Sequence, residues 1–557
     1  MPESFIPAIR FVEDAFKTAR ENLMGLPVAN QGFLQGLIKY GGLETLHGYT
    51  SQQSHFGTAF EQLARDLGAT MPIRIIDGHR LDELAEVGGL ALCDPNIAAF
   101  ARQRSFVGSR AYALTGVTHT LADFPPMAMV ADFATAPVQP WDALVCTARV
   151  AATMVNEMLR AEEERLTERL GATRFRRPLL PVIPLGVDAL RFAAREDWRV
   201  AWRERLGIRP EEVATLYLGR LSRHGKAHPL PMFAALGRAA RTQPHRLHLI
   251  LAGWWLYPPE EAIWREQAAS LCPEVRLHLL DGREEAIRRE IWSAADIFTH
   301  LVDNVQETFG QAPVEAMAAG LPVVVTDWAG FRDTVRHGVD GMLVGTTMAP
   351  PGAGRETSLR YATFNIYYGT WLSLTARLTA VDIGAAAEAF RVLAADPMLR
   401  RRMGAAGQAR VRERFDWAAV IPQYQALWRE QRAIRLAAPA IEVPVPDPRY
   451  MDPNRAFASW PSHKFNLSQR LRPDLTMAMT ELRSLLRFTA PSLPSELDEA
   501  GTTELLDELH RRGEATMQEL LEVLEPSRRS AGERAVLWLL RVGLASAVSK
   551  DDRKRIQ

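Results

Sequence analysis

Short apolar runs alternate with stretches of helical periodicity through most of the chain. In the first part, residues 6–12, 72–77, 112–118, 141–147 and 180–185 read as strands. Residues 32–40, 58–67, 96–104 and the charged stretch 148–170 read as helices between them. A second series begins at Val213 and continues through 247–253, 275–280, 296–299 and 321–326. Strands separated by helices predict parallel sheets, so the pattern predicts an α/β protein of two consecutive Rossmann-like domains, residues 1–190 and 191–434. Their carboxyl edges are expected to face each other across a ligand-binding cleft. Residues 397–436 are helical and rich in Arg, and 435–470 carry Pro439, Pro444, Pro446, Pro448, Pro453 and Pro461, the composition of an extended linker or strap. Residues 471–557 form an additional helical module, with helices expected over 474–488, 503–512, 516–524 and 531–542 and a short apolar run at 543–548.

The densest chemistry lies in residues 306–325, QETFGQAPVEAMAAGLPVVV. Pro313 suits the start of a helix, Ala316, Met317, Ala318 and Ala319 continue it, and Gly320 stops it before the buried strand 323–325. In a strand, loop, helix, strand unit the loop lies at the carboxyl edge of the sheet, where ligands of open α/β sheets bind. The free N–H groups and dipole of the helix favour a phosphate there, and Gly310 allows close approach to the backbone. Glu307 and Glu315 bracket the turn and suit sugar hydroxyls. A phosphate together with a polyol suggests a nucleotide sugar, although an isolated pair of glutamates at this spacing more often marks a solvated surface.

Composition changes this picture little. The 557 residues exceed what one core supports, so two or three domains are expected. Hydrophobic residues make up 47% and charged residues 24%, and Lys+Arg 66 balances Asp+Glu 66, so no global field argues for nucleic acid or an anionic membrane as the main partner. Cys93, Cys146 and Cys272 lack the spacing of a disulfide framework or zinc site, consistent with a reducing compartment. The N-terminus has no leader-like pattern and no run approaches the roughly 18 apolar residues that span a bilayer. A cytoplasmic protein is expected, with a peripheral position at the inner face of a membrane as the alternative.

The 306–325 segment closely resembles the signature of retaining glycosyltransferases of family 4, which have the GT-B fold and a sequence near EgFGxxxxEAMAxGxPVV; Thr308 stands where that family often has Gly. Leu216 to Leu221 followed by Lys226 resembles the family's GRLxxxxKG, with Ala227 in place of the last Gly. The resemblance covers roughly residues 20–434 by its run of motifs. It implies that Glu315 binds the donor ribose, that Glu307 meets the transferred sugar, and that Arg220 and Lys226 hold the donor diphosphate with the amides of Phe309, Gly310, Gln311 and Ala312. Gly253, ending 247–253, resembles the strand end lining the nucleobase, and serves equally as a strand-to-loop turn. His119, just past the strand in TGVTHTL, resembles the family's cleft histidine, against the commoner structural role of such a residue. Gly25, Asn30 and Gln31 occupy the place of the family's Gly-rich loop before the first helix, without its adjacent glycines. Residues 181–188, PVIPLGVD, resemble the family's interdomain hinge, with Leu185 for Asn.

The expected activity is transfer of a sugar, with retention, from a nucleoside diphosphate sugar to an acceptor hydroxyl. No DxD motif ends a suitable strand, so no catalytic metal and no resident cofactor are implied. The acceptor stays open among glycan, lipid-linked glycan, protein and small molecule. A nucleotide-sugar hydrolase or 2-epimerase and a catalytically silent scaffold are the competing classes. Residues 345–380 exceed an ordinary loop and carry Tyr361, Phe364, Tyr367, Tyr368 and Trp371, which suits an acceptor-binding lid, an oligomer contact or an aromatic helix packed on the strap. The C-terminal module resembles a winged helix, but its would-be recognition helix, ERAVLWLLR, offers little polar face for base edges. A packing or protein-interaction role, including a homo-oligomer, is expected there rather than DNA binding.

Overall fold

A computed structural model describes residues 5–18, 25–50, 54–439, 447–462, 464–474 and 497–548. Residues up to Asp447 form one compact unit and Pro448–Gln557 another. The first unit contains two parallel six-stranded sheets. One is built from β1 (Ala8–Phe11), β2 (Leu46–Thr50), β3 (Ile73–Asp77), β4 (Gly89–Ala91), β5 (Ala113–Val117) and β6 (Ala143–Val145) in the order β3-β2-β1-β4-β5-β6. The other comprises β7 (Val213–Leu218), β8 (Leu247–Gly253), β9 (Arg276–Asp281), β10 (Ile297–His300), β11 (Val323–Thr326) and β12 (Gly341–Val344) in the order β12-β11-β10-β7-β8-β9. Numbered from their own first strands, both sheets run 3-2-1-4-5-6, the doubly wound order in which the chain reverses direction beside the first strand. The reversal puts a crevice at the carboxyl ends of β1 and β4 in one sheet and of β7 and β10 in the other.

Strands β2, β4 and β12 are absent from the periodicity reading, and each contains a glycine that tertiary packing demands. A Cβ on Gly48 would lie 2.4 Å from the Phe60 ring and one on Gly341 2.5 Å from the Val323 side chain. Glycine depresses strand propensity, so the local pattern conceals strands that their neighbours impose. Conversely, residues 180–185 form no strand: only isolated bridges join Leu179 to Ala143 and Val182 to Cys146.

The interdomain segment 181–188 runs beside the returning chain, with Val187 N–H donating to the Phe415 carbonyl at 2.7 Å and Trp417 N–H donating to the Val187 carbonyl at 3.2 Å. The helix Trp417–Ala437 then packs on the first domain. Trp417 fills the space left by Gly32, Gly36 and Gly186, where a Cβ would approach the indole to 3.3, 2.7 and 2.3 Å. Gln431, deep in that contact, accepts from Thr115 Oγ1 at 2.8 Å and donates to the Leu114 and Trp141 carbonyls, each at 2.9 Å. Because this helix continues to Ala437, the strap begins later than residue 435.

Beyond β12 the chain makes a two-stranded antiparallel ribbon, β13 (Thr346–Met348) with β14 (Thr379–Val381), which carries the helices Arg355–Ala362 and Tyr368–Ala376. The second unit has its own sheet, β15 (Arg470–Pro473) between β16 (Ala515–Thr516) and β17 (Ala545–Ala547), all antiparallel. Three helices, Glu499–Arg512, Met517–Leu521 and Arg529–Arg541, enclose Leu505, Leu509, Leu520, Val536 and Leu539. The apolar run 543–548 supplies β17, which pairs with β15. The helix expected over 474–488 lies outside the described residues, apart from Asp474. Among the described residues, no helix is long and apolar enough to cross a membrane.

Candidate active site at the switch point of the second sheet

Strands β7 and β10 are neighbours, and their loops leave the sheet on either side of the chain reversal. The loop after β7 carries Arg220 and Lys226 into the helix Pro229–Ala240, and the loop after β10 carries Glu307 into the helix Gln311–Ala318. Lys226 Nζ lies 2.5 Å from Glu307 Oε2 although the residues are 81 apart in sequence. Burial opposes ionisation of Glu307, but Lys226 and a hydrogen bond from the Gly310 amide outweigh it and hold the carboxyl below its ordinary range. The pair is a charged, largely desolvated constellation, with side-chain exposures of 26% and 11% that leave one edge open to the cleft.

Gly310 makes the turn. Its φ of +85° is left-handed, and a Cβ there would lie 2.0 Å from the Phe331 ring. The turn aims the first amides of the helix, those of Gln311 and Ala312, at the sheet edge. Phe309 points the other way, buried in the core with its ring 6.2 Å from that of Phe415.

Arg220 is half-buried and makes two long hydrogen bonds, to the Gly225 carbonyl at 3.3 Å and Gln306 Oε1 at 3.4 Å. A guanidinium has five N–H donors, so most of its capacity remains for an anion. Gly253 ends β8 where the Gly219 carbonyl would lie 2.1 Å from an added Cβ, and its own carbonyl accepts from Gly282 N–H at 2.9 Å. It lets two strand ends approach, the packing role open to it from sequence. Glu315, one turn into the helix, is pushed up to about 7 by burial, with Arg191 and Lys226 pulling the other way.

Three residues that motif reading passed over organise these loops. Asn304 donates to the His224 carbonyl at 2.6 Å and accepts from Gln306 N–H at 2.8 Å, tying the Glu307 loop to the Lys226 loop. Asp303 accepts from His228 N–H at 3.3 Å and is raised by burial to about 6. His300 is fully buried with both ring nitrogens unpartnered, and burial, reinforced by Lys226, lowers it to about 3. It is therefore a neutral ring behind the ion pair. The only local signal was the polar run Asp303-Asn304 directly after an apolar strand.

The first domain places its candidates differently. Gly25, Asn30 and Gln31 are not in a loop: they lie in the helix Gly25–Tyr40, with Gly25 at its start. Asn30 Nδ2 donates to the Ala15 carbonyl at 2.9 Å and Gln31 Nε2 to the Phe16 carbonyl at 2.7 Å, so both amides brace the preceding segment. Phe33, Leu34 and Leu37 supply apolar contacts along the same helix, and this continuous helical pattern overrides the turn signal of Gly25 and Gly32. His119 follows β5 and faces a small cavity of about 30 Å³ shared with Asn30, Phe33, Cys93 and Trp417. Its Nε2 is buried without a partner, and burial lowers the ring to about 4 against a hydrogen bond that it donates to the Cys93 backbone. Thus Glu307, Lys226, Arg220, Gly310 and Glu315 converge at the second sheet, while His119 and Asn30 share a pocket in the first domain.

Two parallel sheets of this order, joined by a hinge and a returning helix in one compact unit, define the GT-B architecture. Residues 199–350 match the family model of glycosyl transferases group 1. Over 194 residues the chain is 34% identical to D-inositol 3-phosphate glycosyltransferase of Nocardia farcinica, covering 33% of this chain and 40% of that relative. The corresponding protein of Geodermatophilus obscurus is 34% identical over 189 residues, again 33% of this chain and 40% of the relative. The match therefore spans about two fifths of the curated relatives' length. Among solved structures, Anabaena HepE in complex with UDP superposes with a TM-score of 0.50 at 17% identity, covering 76% of this chain and 100% of that one. A Rickettsia africae glycosyltransferase gives 0.50 at 11% identity, covering 76% and 98%.

Proposed function

We propose that the protein is a retaining glycosyltransferase that moves a sugar from a nucleoside diphosphate sugar to an acceptor hydroxyl without a catalytic metal. The observation that carries this reading is the meeting of Lys226, Arg220 and Glu307 at the N-terminus of the helix Gln311–Ala318, inside a group 1 glycosyl transferase domain. In the reaction, the bond from the sugar's anomeric carbon to the diphosphate oxygen breaks and one to the acceptor oxygen forms on the same face. The acceptor's proton passes to the departing diphosphate. Arg220, Lys226 and the helix amides meet the charge that develops on that leaving group, where preorganised donors act most strongly. Glu307 accepts hydrogen bonds from the transferred sugar, and Glu315 from the ribose. UDP bound in the Anabaena structure and the name of the inositol phosphate relatives support a nucleotide donor and a hydroxyl acceptor.

The test is release of nucleoside diphosphate from a panel of nucleotide sugars with and without candidate hydroxyl acceptors. Acceptor-stimulated release with an anomerically retained product supports transfer. Equal release without acceptor indicates a hydrolase, isomerised sugar a 2-epimerase, and no turnover with any donor a silent scaffold. Arg220→Ala is expected to lower kcat/KM about 100-fold with unchanged circular dichroism, and a wild-type rate would remove Arg220 from the diphosphate site.

Glu315 adds a pH signature. A carboxyl raised in the folded chain binds its proton more tightly there, so its contribution to stability is fully present below the ordinary value of 4.5 and is lost as pH rises through about 7. Glu315→Gln should therefore leave Tm nearly unchanged at pH 5 and raise it by about 2 °C or more at pH 8, while weakening donor binding at pH 8. Thermal unfolding at the two pH values decides it, since a Tm loss at pH 8 would contradict a desolvated carboxylate.

A further inference from the structure

Two consecutive residues of the loop after β10 grip the loop after β7 at two points. Asn304 Nδ2 donates to the His224 carbonyl at 2.6 Å, and Asp303 Oδ1 accepts from His228 N–H at 3.3 Å. Lys226 lies midway between these anchors, two residues from each. Within its own loop, Lys226 N–H donates to the Ser222 carbonyl at 3.1 Å. That bond closes a turn but does not fix where the turn sits against the sheet, which the two anchors do.

Asn304 is only 1% exposed, and its polar atoms are all engaged. Besides the bond to His224, its Oδ1 accepts from Gln306 N–H at 2.8 Å. Its main-chain carbonyl accepts from Glu307 N–H at 3.3 Å and from the Trp328 indole N–H at 3.0 Å, so the loop after β11 braces it from a third side. A lysine ammonium sits at the end of a flexible four-carbon stem, and an ion pair alone directs it poorly. Here Glu307 holds Nζ at 2.5 Å while the anchors at His224 and His228 hold the main chain that bears the stem. Preorganised cations need such support, because a displacement of about 1 Å can cost a factor of about 100.

We propose that Asp303 and Asn304 are positioning residues for the donor diphosphate, clamping residues 224–228 so that Lys226 is aimed at the leaving group. The inference rests on the functional reading above. The experiment is calorimetric titration of the full chain with UDP, GDP, ADP and the matching nucleosides, for the wild type, Lys226→Ala, Asn304→Ala and the double variant, with thermal unfolding of each. For the diphosphate that the wild type binds, affinity should fall about 100-fold in Lys226→Ala and about tenfold in Asn304→Ala, with nucleoside affinity unchanged in both. Because Asn304 acts through Lys226, its effect should shrink to about twofold or less when Lys226 is already alanine. Losses that multiply in the double variant, or parallel losses for nucleoside and diphosphate, would show a packing role and overturn the proposal. Wild-type diphosphate affinity in either single variant would overturn it as well. If Asn304→Ala does not fold, the same cycle is run with Asp303→Ala. Asp303→Asn, which keeps an oxygen to accept from His228 N–H, should then bind as the wild type does, and a loss equal to that of Asp303→Ala would deny the clamp. If the wild type binds none of the three diphosphates, the glycosyltransferase reading itself falls.

Discussion

Glu307→Gln is expected to lower kcat about 1000-fold while the chain stays folded, a loss of roughly 4 kcal/mol of transition-state stabilisation. The substitution preserves size and hydrogen-bonding capacity but removes the charge that faces Lys226 Nζ at 2.5 Å. Two effects add. The sugar loses an anionic acceptor whose hydrogen bonds strengthen as positive character develops at the anomeric carbon. Lys226, with its side chain 26% exposed, also loses the partner that fixes its direction toward the diphosphate. Since that lysine retains access to water, the stability cost should be small beside the catalytic one, unlike the 3–5 kcal/mol typical of breaking a fully buried pair. Steady-state kinetics with saturating donor, alongside thermal unfolding, separates the two, and a variant with wild-type kcat would remove Glu307 from the reacting sugar.

Gly310→Ala should be the most damaging single methyl in the second domain. At φ +85° an alanine carries backbone strain of about 1–3 kcal/mol. Its Cβ would also meet the Phe331 ring at 2.0 Å, and the ring sits in the core with no exposure, so overpacking adds about 1–3 kcal/mol more. Gly171→Ala is the natural comparison: φ there is +66°, but a Cβ meets nothing within 4 Å. Gly310→Ala should thus lower Tm clearly more than Gly171→Ala and abolish measurable turnover, because the amide that holds Glu307 and the start of the Gln311–Ala318 helix move with the turn. Parallel melts and activity assays of the two variants check this, and equal effects would deny the Phe331 contact its part.

The second-domain half of the candidate site was largely readable from local sequence. In 306–325, helix formers between Gly310 and Gly320 and the Val323–Val325 run specify turn, helix and strand by propensities that act over a few residues, and the structure has each of them there. Arg220 and Lys226 were legible for the same reason, lying directly after an apolar strand. The first domain was less legible. Gly25 and Gly32 resemble loop residues, yet Gly32 and Gly36 sit in a helix because Trp417, about 380 positions away, needs the space over them. Strands β2 and β12 carry glycines for the same kind of reason, and no local window contains Phe60 or Val323 when it reads Gly48 or Gly341.

The sequence by itself determined two doubly wound domains and the glycine turn at Gly310 that opens a helix, since strand periodicity, helix caps and turn glycines are short-range properties. Tertiary structure alone decided that Lys226 pairs with Glu307, that Asn304 joins their loops, and that the insert sets Tyr361 on Asp123. Those contacts depend on which strands become neighbours. The sheet order that makes β7 and β10 adjacent is settled by packing both faces of a buried sheet, a condition satisfied by the whole domain and not by any one segment of it.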